Sequence, residues 1–289
     1  MPTIQLAALC AQYIECHMMS KSYVQHMRNA VEKLAECGIV DSTQLTSQAL
    51  NLFLENRPKQ TGGWHCGEGD ATRANLRRII LTLWKWGFAE RLLAEKPERI
   101  RPIAVVLEPP TAWSFDQLCE LLSIAEKDEA VVSLKWCLRR CDVLPCWIRI
   151  GYESGLRFSD IHLLKKVNFR NGCLVRVASK TRTATIRTIT PDTQLSIDRL
   201  LARSTDGSLF RWALPRKLAQ DTWKSFMTEH GLEGTSKYLR KTGATLIEKE
   251  HPGGATAFLS HSDPRLAATH YIDVTLLGPP QGPPAIQRR

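Results

Sequence analysis

Apolar residues recur at helical spacing through most of the first hundred residues. The first clear helix follows Ser20 or Ser22, either of which can cap it, and the last follows a stretch rich in glycine and polar residues at 56–70. Three apolar faces result: Tyr23, Met27, Val31 and Leu34; Leu45, Leu50 and Phe53; and Leu76, Ile79, Ile80, Leu83 and Phe88. Residues 1–100 are therefore predicted to form a small bundle of about four helices.

The second part of the chain begins with a helical pattern. Ser114 and Gln117 have the spacing of a capping box ahead of an apolar helix. Further helices are predicted near residues 129–141 and over residues 145–154, the latter ending at Gly155.

A predicted β-hairpin interrupts these helices. Residues 173–179 and 183–190 are rich in β-branched side chains and flank a polar turn at 180–182. From Asp192 onward the helical period returns, and the four prolines in 276–289 predict a disordered tail. The fold class predicted is mainly α with a small antiparallel β-sheet.

A proline-rich segment divides the chain. Residues 99–111 contain three prolines and no helical period, and proline disfavours helix at its own position and the one before it. The predicted parts are a helical domain over 1–100, a linker over 101–112, an α+β domain over 113–275 and the tail.

Composition adds one feature, the net charge, which by itself does not identify a partner because many basic proteins bind neither nucleic acid nor membrane. With 43% hydrophobic and 24% charged residues, the 289-residue chain has the composition of an ordinary soluble globular protein. Its net charge of +10 favours a polyanionic partner, either nucleic acid or an acidic membrane surface. Residues 1–108 carry a net charge of +2 and the remainder +8, so the excess lies mainly in the second part.

The cysteines and the absence of targeting signals favour an intracellular, cytoplasmic protein. No apolar run is long enough to span a bilayer, and the N-terminus lacks the pattern of a secretory signal. The nine scattered cysteines are predicted to be reduced thiols. Cys137, Cys141 and Cys146, with His65 and Cys66, fit no zinc spacing, so we expect no metal site there and place Cys137 and Cys141 on an apolar helix.

Four short segments of the second part carry the candidate chemistry. In chain order they are Gly155-Leu-Arg157 with Asp160; Lys180-Thr181 with Arg187; Lys237 with Arg240; and Leu259-Ser260-His261-Ser262 with Tyr271. Together they resemble the tyrosine recombinase (phage integrase) family, whose pattern is a TGLR turn, a hairpin lysine, H-x-L-R-H, L-G-H-S and a terminal tyrosine. Several motifs in the right order are far more specific than any one of them.

The resemblance implies a role for each matching residue and a fold for each domain. It covers residues 113–273 by motif and residues 1–100 by layout only. It implies a SAM-like helical core-binding domain, an α+β catalytic domain, a clamp around duplex DNA and a tetramer on two duplexes. The implied catalytic residues are the arginines Arg157 and Arg240, the hairpin lysine Lys180, the histidine His261 and the nucleophile Tyr271, with Asp160 supporting the turn of Arg157.

Three positions depart from the family pattern. Lys237 stands where the family usually has histidine, a substitution that resembles the related type IB topoisomerases. Ser260 replaces the glycine before the motif histidine. The tail after Tyr271 is short and rich in proline, where many family members have a helix that docks on a neighbouring protomer.

The residue types suit phosphodiester chemistry without metal, ATP or another cofactor. Two arginines can clamp the non-bridging oxygens as their charge grows. A free tyrosine hydroxyl has a pKa near 10, so it needs a base or a positive field, which His261 or Lys237 can supply. Lys180 can give a proton to the leaving 5′-oxygen. The 3′-phosphotyrosyl bond keeps the energy needed for rejoining.

Each residue also has an interpretation without function. The arginines and lysines of the motifs can be solvated side chains, His261 can be a structural histidine and Tyr271 a core aromatic. For Lys237 the catalytic and the solvated interpretation are equally favoured. Trp84 and Trp86 are predicted to pack in the core. The candidate DNA contacts are Arg73, Arg77, Arg78, Arg182, Arg187 and Lys241.

Three functions compete. The favoured one is a site-specific DNA recombinase, with double-stranded DNA as its partner and neither a membrane nor a small-molecule substrate. A type IB topoisomerase-like enzyme would use the same chemistry on one duplex, and Lys237 favours it. The departures at Lys237 and Ser260 motivate the third, an inactive DNA-binding protein descended from an integrase.

Overall fold

The computed structural model describes residues 3–55, 69–177 and 184–277. The chain divides into two compact units, Met1–Leu107 and Glu108–Arg289. Lys180 and Arg182, the 56–68 part of the predicted loop and most of the predicted tail lie outside the described residues.

The described residues of the first unit form four helices. They are α1 (Leu6–Cys16), α2 (Lys21–Ala35), α3 (Ser47–Glu55) and α4 (Asp70–Ala89). The Ser20 side chain accepts a hydrogen bond from the Tyr23 amide and so caps α2, which decides between the two serines that the sequence offered as caps.

The apolar faces of these helices meet in one core. Leu9, Met27 and Leu50 are fully buried, and the predicted packing role of Trp84 and Trp86 is confirmed. Trp84 is 2% exposed, and its indole nitrogen donates to the Glu95 carbonyl at 2.8 Å. The tryptophans of α4 therefore stabilise this unit from inside.

The second unit is mainly helical, and over residues 108–177 and 184–277 it has two small antiparallel sheets. Its helices are α5 (Phe115–Lys127), α6 (Arg140–Ser154), α7 (Phe158–His162), α8 (Pro191–Arg203), α9 (Arg216–Glu229), α10 (Lys237–Glu250), α11 (Gly254–Leu259) and α12 (Pro264–His270). Its strands are β1 (Val131–Ser133), β2 (Leu138–Arg139), β3 (Phe169–Arg170), β4 (Cys173–Val177) and β5 (Ala184–Thr188). The predicted fold class, mainly α with small antiparallel sheets, is confirmed.

The capping box predicted for α5 is present. The Gln117 amide donates to the Ser114 hydroxyl, and the Gln117 side chain accepts from the Ser114 amide. Residues of α5, α6, α8 and α9 then bury a common core, in which Ile148, Ile197 and Phe226 are at most 1% exposed.

The helix predicted near residues 129–141 is wrong. The chain instead forms the β1–β2 hairpin, reversed by Cys137 at φ 46°, and α6 begins at Arg140. Cys137 and Cys141 therefore do not share an apolar helix. Short apolar runs fit helix and strand equally well, and here the burial of Leu138 decides between them.

Strands β3, β4 and β5 form the second sheet in that order. Leu174 of β4 faces Arg187 of β5, and Arg176 faces Thr185. Because side chains alternate across a strand, these four residues share one face of the sheet. That face packs towards the core, since Leu174 and Thr185 are both buried.

Glycine is required where α6 ends. Gly155 has φ 61° and closes the helix in the left-handed conformation, as predicted. A Cβ at this position would lie 2.6 Å from the ring of Phe258 on α11. The turn that leads to Arg157 can therefore pack closely against α11.

An ion cluster lies at the start of α6. Arg140 is 7% exposed and bonds to Asp128 at 3.1 Å and to Glu229 at 2.8 Å. Burial acts to raise the pKa of Asp128, but hydrogen bonds from Ala130, His230 and Arg140 outweigh it, and the pKa is lowered. The cluster joins α5, α6 and α9.

Replacing Arg140 with methionine should lower the free energy of unfolding by about 3–5 kcal/mol, because it leaves Asp128 buried without its cation. Denaturant unfolding measures this loss. Because the folded pKa of Asp128 is lowered, its contribution is present above the unfolded pKa and is lost as pH falls through the folded pKa. The exposed neighbour Arg139, in Arg139→Met, is the control and should cost under about 1 kcal/mol. Equal losses in the two variants would contradict the prediction.

The described part of the chain has neither a membrane-spanning helix nor a disulfide bond. No helix there is both long and apolar enough to cross a membrane. All eight cysteines in the same residues are free thiols.

Candidate active site

The candidate site is organised around Arg240, on the first turn of α10. Its side chain is buried at 6% exposure and extends across the packed ends of α6 and α11. Its guanidinium donates to the Gly155 carbonyl and, at 3.0 Å, to the Leu259 carbonyl. These bonds fix the guanidinium in one orientation, which a solvated arginine lacks.

His261 and Tyr271 lie against this guanidinium. Nε2 of His261 is 3.2 Å from a terminal nitrogen of Arg240. The Arg240 guanidinium carbon is 4.9 Å from the centre of the Tyr271 ring, and the His261 and Tyr271 rings are 5.1 Å apart. Three of the sequence-predicted residues therefore meet at one place.

Tyr271 follows the last residue of α12 and is partly exposed. Its amide bonds to the Ala267 carbonyl, and its carbonyl accepts from the Thr245 hydroxyl on α10 at 3.3 Å. Ile272, the next residue, is buried in a small cluster with Phe258 and Leu259. The backbone on both sides of the tyrosine is thus anchored, while the residue itself stays partly exposed.

The electrostatics of Arg240 connect it to Arg157 and Asp160. Burial lowers the pKa of Arg240, and interaction with Tyr271 opposes that effect. Arg157 lowers the pKa further, whereas Asp160 raises it. An arginine nevertheless stays charged at every pH a protein experiences, so the site holds a buried positive charge.

Arg157 lies at the start of α7, two residues after the Gly155 turn. Its carbonyl accepts the amide of Asp160 at 2.8 Å, which closes the first turn of α7. Asp160 is 1% exposed and lies 3.6 Å from the guanidinium of Arg176. Arg157, Asp160 and Arg240 line the same small cavity, so the two arginines predicted from the motifs lie side by side.

Lys237 and Lys241 lie on α10 near Arg240. Lys237 is exposed at the first position of the helix, and Lys241 is half-buried. Burial lowers the pKa of Lys241, and the charge of Lys237 lowers it further. This edge of the site is therefore strongly positive. Lys180, the predicted hairpin lysine, lies outside the described residues.

The arginines predicted to contact DNA differ in how far they are engaged. Arg77 donates to the Ile100 and Arg101 carbonyls, and Arg73 to the Leu54 carbonyl, so both brace the first unit. Arg78 is exposed. Arg187 bonds to two carbonyls of α11.

Sequence reasoning missed two residues beside the site, Arg176 and Thr185, and it noted a third, Ser260, only as a departure from the family pattern. Arg176 pairs with Asp160, and Thr185 and Ser260 bring their hydroxyl groups within 3.2 Å of each other. The alternation of β4 and β5 places Arg176, Thr185 and Arg187 on one strand face, and that signal was present in the sequence. The sequence did not indicate which face of the sheet is turned towards the site.

The described residues contain no cluster of three or more histidine, cysteine or acidic side chains arranged to hold a metal ion. The charged groups of the candidate site are instead arginines and lysines, of which Arg240 is held by backbone carbonyls, together with one buried carboxylate, that of Asp160. Such an arrangement can bind an anionic group and stabilise negative charge that develops on it.

Comparisons with known proteins identify the fold. No protein-family model and no curated protein matches the chain. Among solved structures, it is similar to a lambda integrase dimer bound to a COC′ core site, with TM-score 0.73 and 15% identity over 99% of this chain and 81% of that one. A lambda integrase tetramer bound to a Holliday junction gives TM-score 0.72, 14% identity and the same coverage.

A second kind of integrase gives the same result. The Tn1549 transposon integrase in complex with circular intermediate DNA has TM-score 0.64 and 14% identity over 90% of this chain and 92% of that one. At such low identity the similarity establishes the fold, and the predicted resemblance is confirmed at that level: the chain has the tyrosine recombinase fold.

Proposed function

We propose that this chain, which has the tyrosine recombinase fold, is a site-specific DNA recombinase. It cuts and rejoins duplex DNA through a 3′-phosphotyrosyl intermediate. The observation that carries the proposal is the convergence of Tyr271, His261 and a buried, carbonyl-held Arg240 within about 5 Å of one another. A nucleophile, a proton-transferring group and a fixed cation are the parts that attack on a phosphodiester requires.

In this mechanism Arg157 and Arg240 bind the non-bridging oxygens of the scissile phosphate. Their positive charges stabilise the additional negative charge of the transition state, and each well-placed donor contributes about 3–4 kcal/mol. Because Arg240 is held by the Gly155 and Leu259 carbonyls before DNA binds, little reorganisation is needed during the reaction.

Tyr271 attacks the phosphorus, and its hydroxyl proton leaves as the bond forms. His261 is the group placed to accept that proton, with Lys237 contributing positive field. The phosphorus–oxygen bond to the 5′-oxygen breaks, and Lys180 protonates the leaving oxygen. The phosphotyrosyl bond conserves the energy of the phosphodiester, so rejoining uses neither ATP nor a metal ion.

The proposed partner is double-stranded DNA, on which the protein assembles as a tetramer. The net charge of +10 supports phosphate binding, and the similar lambda integrase forms a tetramer on a Holliday junction. The proposed contacts in the helical core-binding unit are Arg73, Arg77 and Arg78, and those in the catalytic unit are Arg182, Arg187 and Lys241. Arg73, Arg77 and Arg187 also donate to backbone carbonyls, so each would contact DNA only with donors that those bonds leave over.

The test is covalent capture. Duplexes from the DNA flanking the coding region are nicked near candidate sites so that the short cleaved strand diffuses away. The wild-type protein should form a detergent-resistant protein–DNA adduct at one site, and mass spectrometry should locate the DNA on Tyr271. Salt-sensitive binding to every duplex without any adduct would overturn the enzymatic proposal and favour an inactive DNA-binding protein.

A second assay separates the topoisomerase-like alternative, which is favoured by a lysine at position 237, where the family usually has histidine. A recombinase joins strands from two duplexes that carry the site, whereas the alternative relaxes supercoiled plasmid without that site. If the protein relaxes plasmids that lack the site and exchanges no strands between duplexes, the recombinase proposal is wrong and the topoisomerase-like activity takes its place.

A further inference from the structure

A strained serine lies in the turn that carries His261. Ser260 follows the last residue of α11 and has φ 53° and ψ 44°, in the left-handed region. Residues other than glycine adopt this backbone conformation at a cost in free energy, because their Cβ atom crowds the backbone. Glycine would be the residue of lowest strain at this helix end, so the serine side chain calls for an explanation.

The Ser260 hydroxyl has two partners, both on β5. It lies 3.2 Å from the Thr185 hydroxyl and 3.3 Å from a terminal nitrogen of Arg187. Arg187 can only donate, so the serine oxygen accepts from it and its own proton is free to bond Thr185. Thr185 is 4% exposed, and this bond therefore forms away from most of the water that would compete for it.

Arg187 strengthens the same connection. Its guanidinium donates to the Ala257 carbonyl at 2.8 Å and to the Phe258 carbonyl, and it lies 5.5 Å from the centre of the Phe258 ring. Both are carbonyls of the last turn of α11, and the Ala257 carbonyl also accepts the Ser260 amide at 3.1 Å. Strand β5 thus holds both the end of α11 and the serine after it.

The neighbours of Ser260 are the ones that contact Arg240. The Leu259 carbonyl accepts from Arg240 at 3.0 Å, and the His261 ring lies against Arg240 and Tyr271. A shift of the serine would move both neighbours, since the three residues are consecutive. Ser260 and Thr185 also line the small cavity beside Arg157 and Arg240.

We infer that Ser260 is a positioning residue, whose hydroxyl ties the 259–261 turn to Thr185 and Arg187 of β5 and so holds His261 against Arg240 and Tyr271. The catalytic consequence rests on the proposed function. The hydroxyl offsets the backbone strain of its own residue, and strain of this kind persists where surrounding contacts determine the conformation.

The test removes the hydroxyl groups one at a time. Ser260→Gly relaxes the backbone and deletes the tie, whereas Thr185→Val deletes the partner hydroxyl with little change of shape. Both should reduce the rate of adduct formation at saturating protein about tenfold or more, because small displacements of reacting groups have large effects on rate. DNA affinity and the thermal unfolding midpoint should stay unchanged. Thr185→Ser, which keeps a hydroxyl, should restore the rate.

A readout without DNA makes the two proposals separable. The His261 amide bonds to the Thr256 carbonyl at 3.0 Å, and its hydrogen exchange reports how firmly the turn is held. Exchange should be faster in Thr185→Val than in wild type and normal in Thr185→Ser. Unchanged exchange in Thr185→Val would overturn the inference, as would wild-type cleavage by Ser260→Gly. If wild type forms no adduct but the exchange result holds, only the proposed function fails.

Discussion

Replacing Tyr271 with phenylalanine should abolish the covalent protein–DNA adduct, a loss of more than about a thousandfold. The variant removes one oxygen, the atom that would form the bond to phosphorus, and keeps the ring that packs beside Arg240 and His261. The measurement is adduct formation on the nicked duplex at saturating protein, with DNA binding followed by gel shift. Binding should be unchanged.

Tyr152→Phe is the matched control. Tyr152 lies on α6, is half-buried and contributes no hydroxyl to the site, so its variant should cleave at the wild-type rate. If Tyr271→Phe forms as much adduct as wild type, the nucleophile is a different residue and the mechanism proposed for this site is wrong.

Arg240→Lys should lower the rate of adduct formation by about a hundredfold to a thousandfold although the charge is kept. Arginine reaches the Gly155 and Leu259 carbonyls and His261 with a planar fork of donors. A lysine ammonium cannot satisfy both carbonyls and present donors to a phosphate in the same plane. The single-turnover rate at saturating protein measures the effect.

The control exchanges the same two residue types in the opposite direction on the same helix. Lys249→Arg lies at the exposed end of α10 and should leave the rate unchanged. Circular dichroism establishes that Arg240→Lys is folded before its rate is interpreted. A folded Arg240→Lys variant with wild-type rate would show that the fork geometry is not used, and that Arg240 acts only as a buried charge.

Local patterns were sufficient for several elements. A serine cap for α2 (at Ser20 or Ser22), the Ser114–Gln117 capping box and the glycine that ends α6 each depend on residues within a few positions of one another. Such signals do not require knowledge of the rest of the chain. The apolar periods of α2 and α4 predicted both helices correctly for the same reason. A continuous apolar stripe along one face of a helix determines which face is buried.

The β1–β2 hairpin shows where local reasoning fails. Residues 129–141 contain apolar side chains that fit a helix, yet Leu138 is buried as part of a strand. Arg140, two residues after Leu138, pairs with Asp128 at the end of α5 and with Glu229 at the end of α9. Contacts with distant parts of the chain selected the strand, and no short window contains them.

The sequence by itself determined several of the helices, among them α2, α4 and α5, together with the β4–β5 strands and the order of the motif residues, because these depend on near neighbours and on residue type. Only the tertiary structure decided that Arg240, His261 and Tyr271 meet, and that Ser260 contacts β5. Such contacts join segments tens of residues apart, and they form only when α10, α11 and strand β5 pack on the common core. The same packing made Arg77 and Arg187 donors to backbone carbonyls, whereas the sequence presented both only as candidate DNA contacts.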